Sequence, residues 1–185
     1  HLKKTVLELG GSNPFIVMRD ADLERAAAEA SYSRFRDAGQ SCNAAKRIVV
    51  TEAVADRFIP LFLAECAKLQ TGDPKDPATT LAPLHREDLR ANVHAQVQDA
   101  VAHGAEVLAG GFIPEGKGWF YPATVLDKVN PNCRVWNEEV FGPVAMILRA
   151  KDEEHAIALA NDTPYGLGAS IYTANTCRAW ALAEK

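Results

Sequence analysis

Apolar positions recur along this chain with two periods, one typical of buried strands and the other typical of helices. Short apolar runs rich in β-branched residues predict strands near residues 14–18, 46–51, 106–109, 144–150 and 168–173, and within ATVLDKV (123–129). Apolar residues three and four positions apart predict helices over 20–35, 53–69, 89–101 and 152–163, and from 176 onward.

Strands that alternate with helices of this length predict an α/β fold, in which helices flank a mostly parallel sheet. Binding sites in such sheets form at the carboxyl ends of the strands. Pro60 lies inside the second helical segment, where proline costs about 3 kcal/mol, so we expect a kink or a boundary there.

Length and charge exclude several classes of protein. The 185 residues fit one domain with a substantial core, and a net charge of -4 offers no basic footprint for nucleic acid or anionic lipid. No apolar run approaches 18 residues, and HLKKTVLELGG lacks the apolar centre of a signal peptide. Because the chain begins without Met in a strand-like segment, we expect it to be an excised portion of a longer protein.

The four cysteines are widely scattered: Cys42, Cys66, Cys133 and Cys177. With no CxxC pair and no Cys/His ligand spacing, no metal site is expected, and a reducing, cytoplasmic compartment is predicted. Cys66 and Cys177 lie on helical patterns that would bury them. Cys42 is therefore the thiol expected to react first with iodoacetamide.

The stretch RDAGQSCNAAKR, residues 36–47, surrounds Cys42 with a glycine, small polar residues and three cations, Arg36, Lys46 and Arg47. Positive charge near a thiol favours the thiolate, which is the reactive form. A lone cysteine in a loop is also compatible with an incidental role. No histidine lies in an obvious partner motif, so Cys–His proteolysis is not indicated.

Two further stretches contain carboxylates beside apolar residues. Glu8, in TVLELGG, is either a solvent-facing charge or a partly desolvated carboxylate with a raised pKa that takes a proton from water. The glycines after it would let a ligand approach the backbone closely. In NEEVFGPV, Glu139 and Phe141 either form a polar turn or bind a ribose diol and a ring.

In this order and spacing, LELGG, GQSC and EEVFGPV resemble the aldehyde dehydrogenase superfamily. NDTPYGLGASIYT and GAEVLAGG resemble its connecting segments. The resemblance covers nearly all of this chain, but the chain covers well under half of a family member. It implies that residues 1–185 are the catalytic, thiol-bearing portion, and that an amino-terminal cofactor domain and a carboxy-terminal segment are absent.

The resemblance implies that Cys42 attacks an aldehyde, forming a thiohemiacetal and then a thioester, and that Glu8 activates the water that hydrolyses it. The Cys42 N–H would be one oxyanion donor, and an Asn outside these residues another. Four residues would bind the nicotinamide end of the cofactor, NAD or NADP: Leu9, Gly10, Glu139 and Phe141. Because most of the cofactor site is missing, the isolated piece is expected to be inactive.

Two features resemble the succinate-semialdehyde branch of the family. SNPFIV follows LELGG, and Arg36 stands six residues before Cys42, where it would bind the substrate carboxylate. A solvated cation at a helix end is the alternative reading of Arg36. Asp37 stands where the family usually has Asn, and would add negative charge near the thiol.

The resemblance also implies a homo-oligomer that acts on a small aldehyde, with no nucleic-acid or membrane partner. Two other functions stay open. One is a catalytically silent relative with a structural or binding role, against which the intact Cys42 and Glu8 argue. The other is a thiol hydrolase that uses the same pair without nicotinamide, against which EEVFGPV argues.

Overall fold

The computed structural model describes residues 2–185 and confirms the predicted α/β class. The strands are β1 (Asn13–Val17), β2 (Ala45–Thr51), β3 (Glu106–Ala109), β4 (Thr124–Asp127), β5 (Val144–Ala150) and β6 (Ser170–Tyr172). The α-helices are α1 (Leu23–Phe35), α2 (Glu52–Cys66), α3 (Glu87–Ala102), α4 (Arg134–Asn137), α5 (Glu153–Asn161) and α6 (Thr176–Ala183). A short turn, Arg36–Gly39, follows α1.

The six strands form one sheet in the order β3-β4-β5-β2-β1-β6, and every neighbouring pair is parallel except β3 with β4. All residues of β1 and β2 are buried, which explains their continuous apolar runs. The helices α1 and α2 pack against each other and on these strands. The helix α5 packs on β1, β2 and β5. Both faces of the central strands are therefore covered.

The expected strand at the start of the chain is wrong, and of the two alternatives expected at Pro60 the helix boundary is excluded. Residues 2–12 form no strand, and Leu7 and Leu9 are exposed, since no neighbouring strand pairs with this segment within the described residues. The helix α2 also runs unbroken through Pro60. Pro60 lies on the exposed face of α2, where water can hydrate the Asp56 carbonyl that loses its N–H partner.

No helix within residues 2–185 is both long enough and apolar enough to span a bilayer.

Arg47 links β2 to two other elements. Its Nε donates to the Ser12 carbonyl at 2.8 Å, and its Nη1 and Nη2 donate to the Leu159 and Ala160 carbonyls near the end of α5 at 2.7 and 2.8 Å. Burial lowers the pKa of Arg47 to about 10. The sequence grouped this guanidinium with the charges near Cys42, but the structure uses it to fix the start of β1 against α5.

Replacing Arg47 with methionine tests this linkage. We expect Arg47→Met to lower the free energy of unfolding by about 3 kcal/mol or more, because three carbonyls lose a charged donor in a buried place. Urea unfolding measures the change, and Arg57→Met, at an exposed position of α2, is the matched control. Equal unfolding midpoints in the two variants would contradict the assignment.

Candidate active site

Three segments that each precede a strand meet at the end of the sheet where these strands begin. Residues 8–11 lead into β1, residues 41–43 lead into β2, and residues 138–141 lead toward β5. Because β1, β2 and β5 are parallel and adjacent, their amino ends lie side by side. The expectation of a site at the carboxyl ends of the strands is therefore wrong for this group of residues.

The turn before Cys42 has a strained backbone. Asp37, Ala38 and Gly39 follow one another with φ of 53°, 54° and 70°. Left-handed geometry costs a non-glycine residue about 1–2 kcal/mol, and such strain clusters at functional sites. A Cβ on Gly39 would overlap the Arg34 guanidinium and the Gly142 carbonyl, so glycine is required there.

The buried Arg34 of α1 holds this turn in place. Its Nη2 donates to the Gly39 carbonyl at 2.8 Å and also to the Gly142 carbonyl, and burial lowers the pKa of Arg34 to about 9. The turn before Cys42 is thus tied to the turn after Glu139. Sequence reasoning missed Arg34, although its position on the apolar face of α1, four residues after Ala30, is the signal that it is buried.

A second buried cation lies directly beneath the nucleophile candidate. Lys46 Nζ donates to the Ser41 carbonyl at 3.0 Å and to the Cys42 carbonyl at 2.9 Å, and lies 3.5 Å from Glu139 Oε1. Burial lowers the pKa of Lys46 to about 8, and the Arg34 charge contributes in the same direction. The sequence identified a charge near the thiol, but the contacts are mainly with backbone oxygens.

The structure brings Glu8 and Cys42 together. The Glu8 carboxylate lies close enough to the Cys42 thiol for each group to shift the pKa of the other, and Glu8 Oε1 accepts the Gly10 N–H at 2.9 Å. Cys42 is half-buried, whereas Glu8 is exposed. An acceptor for the thiol proton therefore stands beside the thiol.

The protonation behaviour of this pair is opposite to the sequence expectation. The interaction with the Cys42 thiol, followed by the hydrogen bond from the Gly10 N–H, lowers the pKa of Glu8, and these effects exceed the opposing effect of desolvation. The side-chain interaction with Glu8, then burial and the Glu8 charge, raise the pKa of Cys42, and these effects exceed the opposing ones of the Asn43 N–H and Lys46. The Glu8 carboxylate therefore disfavours ionisation of the Cys42 thiol.

Asp37 does not act on the thiol. Its carboxylate pairs with Arg36, whose Nε lies 3.1 Å from Asp37 Oδ2, and both side chains are 61% exposed. Asp37 and then Tyr32, whose ring centroid lies 6.0 Å from the guanidinium, raise the pKa of Arg36. The substrate-binding role of Arg36 remains a prediction.

The two glycines after Leu9 allow close approach of the protein's own groups. The Gly11 N–H donates to Glu139 Oε1 at 3.1 Å. A Cβ on Gly10 would lie 2.5 Å from Glu139 Oε2, and one on Gly11 would lie 2.6 Å from the Cys42 carbonyl oxygen. The Glu139 carboxylate is thereby held against the backbone beside Cys42.

The residues assigned to a cofactor fit a nicotinamide riboside in chemistry. Glu139 Oε1 is engaged by Gly11 and Lys46, while Oε2 faces Gly10 and can accept a ribose hydroxyl. Leu9 is 78% exposed and Phe141 is half-buried, so apolar surface adjoins this carboxylate. Within residues 2–185 no group of three or more His, Cys, Asp or Glu side chains could hold a metal ion.

All four cysteines are free thiols, but their burial differs from the expectation at one position. Cys66 and Cys133 are buried, and burial raises the pKa of Cys66 to about 12. Cys177 is exposed on the short surface helix α6, in which Leu182 is the buried residue. The predicted burial of Cys177 is therefore wrong, and this thiol competes with Cys42 for reagents.

Comparison with known proteins identifies the family. The chain matches the model of the aldehyde dehydrogenase family over residues 1–185. This chain belongs to that family. It is 48% identical over 184 residues to the succinate semialdehyde dehydrogenase Sad of Escherichia coli, named for NAD(P)+, and the match covers 100% of this chain and 40% of that protein.

Solved structures agree with this assignment. The succinic semialdehyde dehydrogenase of Streptococcus pyogenes, in complex with NADP+, has a TM-score of 0.94 and 40% identity, covering 98% of this chain and 40% of its own. The lactaldehyde dehydrogenase of Escherichia coli has a TM-score of 0.92 and 39% identity, covering 96% of this chain and 37% of its own. The chain thus spans about two fifths of its relatives, and its fold is shared by enzymes named for different aldehydes.

Removing the Glu8 charge tests the coupling between the two candidate catalytic groups. Because the Glu8 carboxylate raises the pKa of Cys42, Glu8→Gln should lower that pKa and make iodoacetamide label Cys42 faster at neutral pH. Peptide mass spectrometry over a time course measures the rate, with the buried Cys66 as an internal reference that stays unlabelled.

The matched control is Glu115→Gln, which neutralises an exposed carboxylate between β3 and β4. It should leave the labelling rate of Cys42 unchanged. Slower or equal labelling of Cys42 in Glu8→Gln would contradict the coupling between the two side chains.

Proposed function

We propose that the protein containing this chain oxidises an aldehyde, succinate semialdehyde, to its carboxylic acid with NAD or NADP. The observation that carries the proposal is the closeness of Glu8 and Cys42, each of which shifts the pKa of the other, in a member of the aldehyde dehydrogenase family. A nucleophile and a proton acceptor within hydrogen-bond reach are what thiol-based acyl chemistry requires.

Cys42 and Glu8 have successive roles in this proposal. Glu8 accepts the thiol proton, and the Cys42 sulfur forms a bond to the aldehyde carbon. The Cys42 N–H donates to the oxyanion of the resulting thiohemiacetal. When bound, the nicotinamide ring supplies the hydride acceptor that converts this adduct to a thioester. Glu8 releases the thiol proton to solvent and then takes a proton from the attacking water, the carbon–sulfur bond breaks with the Cys42 sulfur leaving as a thiolate that is protonated again, and the carboxylic acid leaves.

Four residues would hold the nicotinamide end of the cofactor: Leu9, Gly10, Glu139 and Phe141. The Glu139 carboxylate would accept ribose hydroxyl hydrogens, and the apolar side chains beside it would exclude water from the ring. Support for either NAD or NADP comes from the relatives, one named for NAD(P)+ and one solved in complex with NADP+. The adenosine side of the site would come from sequence outside these residues.

We also propose that residues 1–185 are the catalytic portion of a longer, cytoplasmic, homo-oligomeric enzyme. The exposed apolar side chains of Leu7 and Leu9, at 73% and 78%, support a further part of the protein that covers this segment. That part would include the cofactor domain and the second oxyanion donor.

The choice of succinate semialdehyde depends on Arg36. Two of the relatives above are named for this substrate, and Arg36 lies on the turn that leads to Cys42. The guanidinium is exposed, so a substrate carboxylate can reach it by displacing Asp37. Arginine binds a carboxylate through two parallel hydrogen bonds, which also orients the substrate.

Replacing Arg36 in the full-length protein tests the substrate. Arg36→Ala should lower kcat/KM for succinate semialdehyde by about tenfold or more, because a charged donor to the substrate carboxylate is lost. It should change kcat/KM little for an uncharged aldehyde of similar length. Formation of NADH or NADPH, followed by absorbance, measures both substrates.

Arg86→Ala is the matched control, since Arg86 is an exposed arginine that pairs with Asp88 in the same manner, at 2.8 Å. Equal losses for both aldehydes would return Arg36 to the role of a solvated cation. Turnover that persists in Cys42→Ala would remove the proposed nucleophile, and product formation without nicotinamide would favour a thiol hydrolase.

A further inference from the structure

The proposed mechanism does not use the buried ammonium group of Lys46. Its side chain is completely buried, and its acceptors are the Ser41 carbonyl at 3.0 Å, the Cys42 carbonyl at 2.9 Å and Glu139 Oε1 at 3.5 Å. A lysine ammonium has three N–H donors, so all three are directed at atoms of the candidate site. An ammonium is kept in such a place only when its partners are well oriented.

The two carbonyls that Lys46 holds belong to the peptide groups on either side of Cys42. A trans peptide is planar, so its N–H points away from its C=O. Fixing the Ser41 carbonyl therefore fixes the direction of the Cys42 N–H. Fixing the Cys42 carbonyl likewise fixes the direction of the Asn43 N–H, which lowers the pKa of Cys42.

We propose that Lys46 is a positioning residue for the reaction, which fixes the two peptide groups that flank Cys42 and aims the Cys42 N–H at the oxyanion. It acts through the backbone and touches neither the substrate nor the reacting atoms. Its contact with Glu139 joins the same peptide groups to the carboxylate assigned to the cofactor. This inference rests on the proposed function, because the oxyanion is that of the thiohemiacetal on Cys42.

The packing of Gly11 provides independent evidence on the peptide group that contains the Cys42 carbonyl. Its Cα packs against the Cys42 carbonyl so closely that an added Cβ would lie 2.6 Å from that oxygen, which is backbone and moves only with the whole loop. Gly11 is not in left-handed geometry, so alanine is compatible with its backbone. Gly11→Ala should therefore turn the Cys42 carbonyl away from Lys46 without changing any charge.

The test uses the full-length enzyme with succinate semialdehyde and NAD or NADP. Lys46→Met should lower kcat by about a hundredfold, the size of the loss when one oxyanion donor is misplaced, with a smaller change in KM for the aldehyde. Gly11→Ala should lower kcat in the same way. In Lys46→Met, the pH profile of Cys42 alkylation should move to higher pH, because the Lys46 charge and the Asn43 N–H both lower the pKa of Cys42. In Gly11→Ala the charge is kept, so a shift in the same direction comes from the reoriented Asn43 N–H.

Two control variants isolate the effect. Lys68→Met removes an exposed lysine that pairs with Glu65, and Gly166→Ala adds a methyl group where no atom lies within 4 Å. Both should retain the kcat and the alkylation profile of the unmodified enzyme. Circular dichroism and unfolding midpoints establish that each variant is folded, and Gly11→Ala decides the matter if Lys46→Met does not fold.

The outcomes separate the two proposals. An unmodified enzyme without activity on aldehydes refutes the proposed function itself. An active unmodified enzyme whose folded Lys46→Met or Gly11→Ala variant has kcat within about twofold of the controls, and an unshifted alkylation profile, refutes the positioning role alone. A selective loss of kcat with a shifted profile supports it.

Discussion

The candidate site depends on buried cations that donate hydrogen bonds to backbone carbonyls at the amino-terminal ends of the strands. Arg34 and Lys46 hold the turns on either side of Cys42 and Glu139, and Arg47 holds the start of β1. Burying a charge is costly unless it is hydrogen-bonded, so each cation stabilises one arrangement of the loops around it. The three segments that lead into β1, β2 and β5 are thereby kept in register with one another.

Most of the fold follows from the pattern of apolar residues, because buried parallel strands leave continuous apolar runs. The pattern does not reveal at which ends of the strands the candidate catalytic residues lie. Cys42 and Glu139 both precede their strands, and only the observed parallel pairing shows that the amino ends are the ones that meet. Nor does a side-chain pattern reveal carbonyl acceptors, so the partners of Arg34 and Lys46 could not be read from the sequence.

The sequence predicted which residues belong to the candidate site more completely than it predicted their pKa shifts. The residue types around Glu8 and Cys42, together with the family resemblance, identified both side chains. Their pKa directions were predicted wrongly, because the largest influence on the pKa of the thiol is the Glu8 carboxylate rather than a cation. Cys177 was predicted wrongly for a related reason, since a short helical pattern does not show whether another element covers it.

The central claim is that Cys42 carries the acyl group and that Glu8 promotes its release. Mass spectrometry of the full-length Glu8→Gln variant, quenched in acid soon after mixing with succinate semialdehyde and NAD or NADP, tests it most directly. The account predicts an acyl adduct on the Cys42 peptide that needs the nicotinamide cofactor and disappears in Cys42→Ala. An adduct on another cysteine, or no adduct in a variant whose unmodified parent turns over, would contradict it.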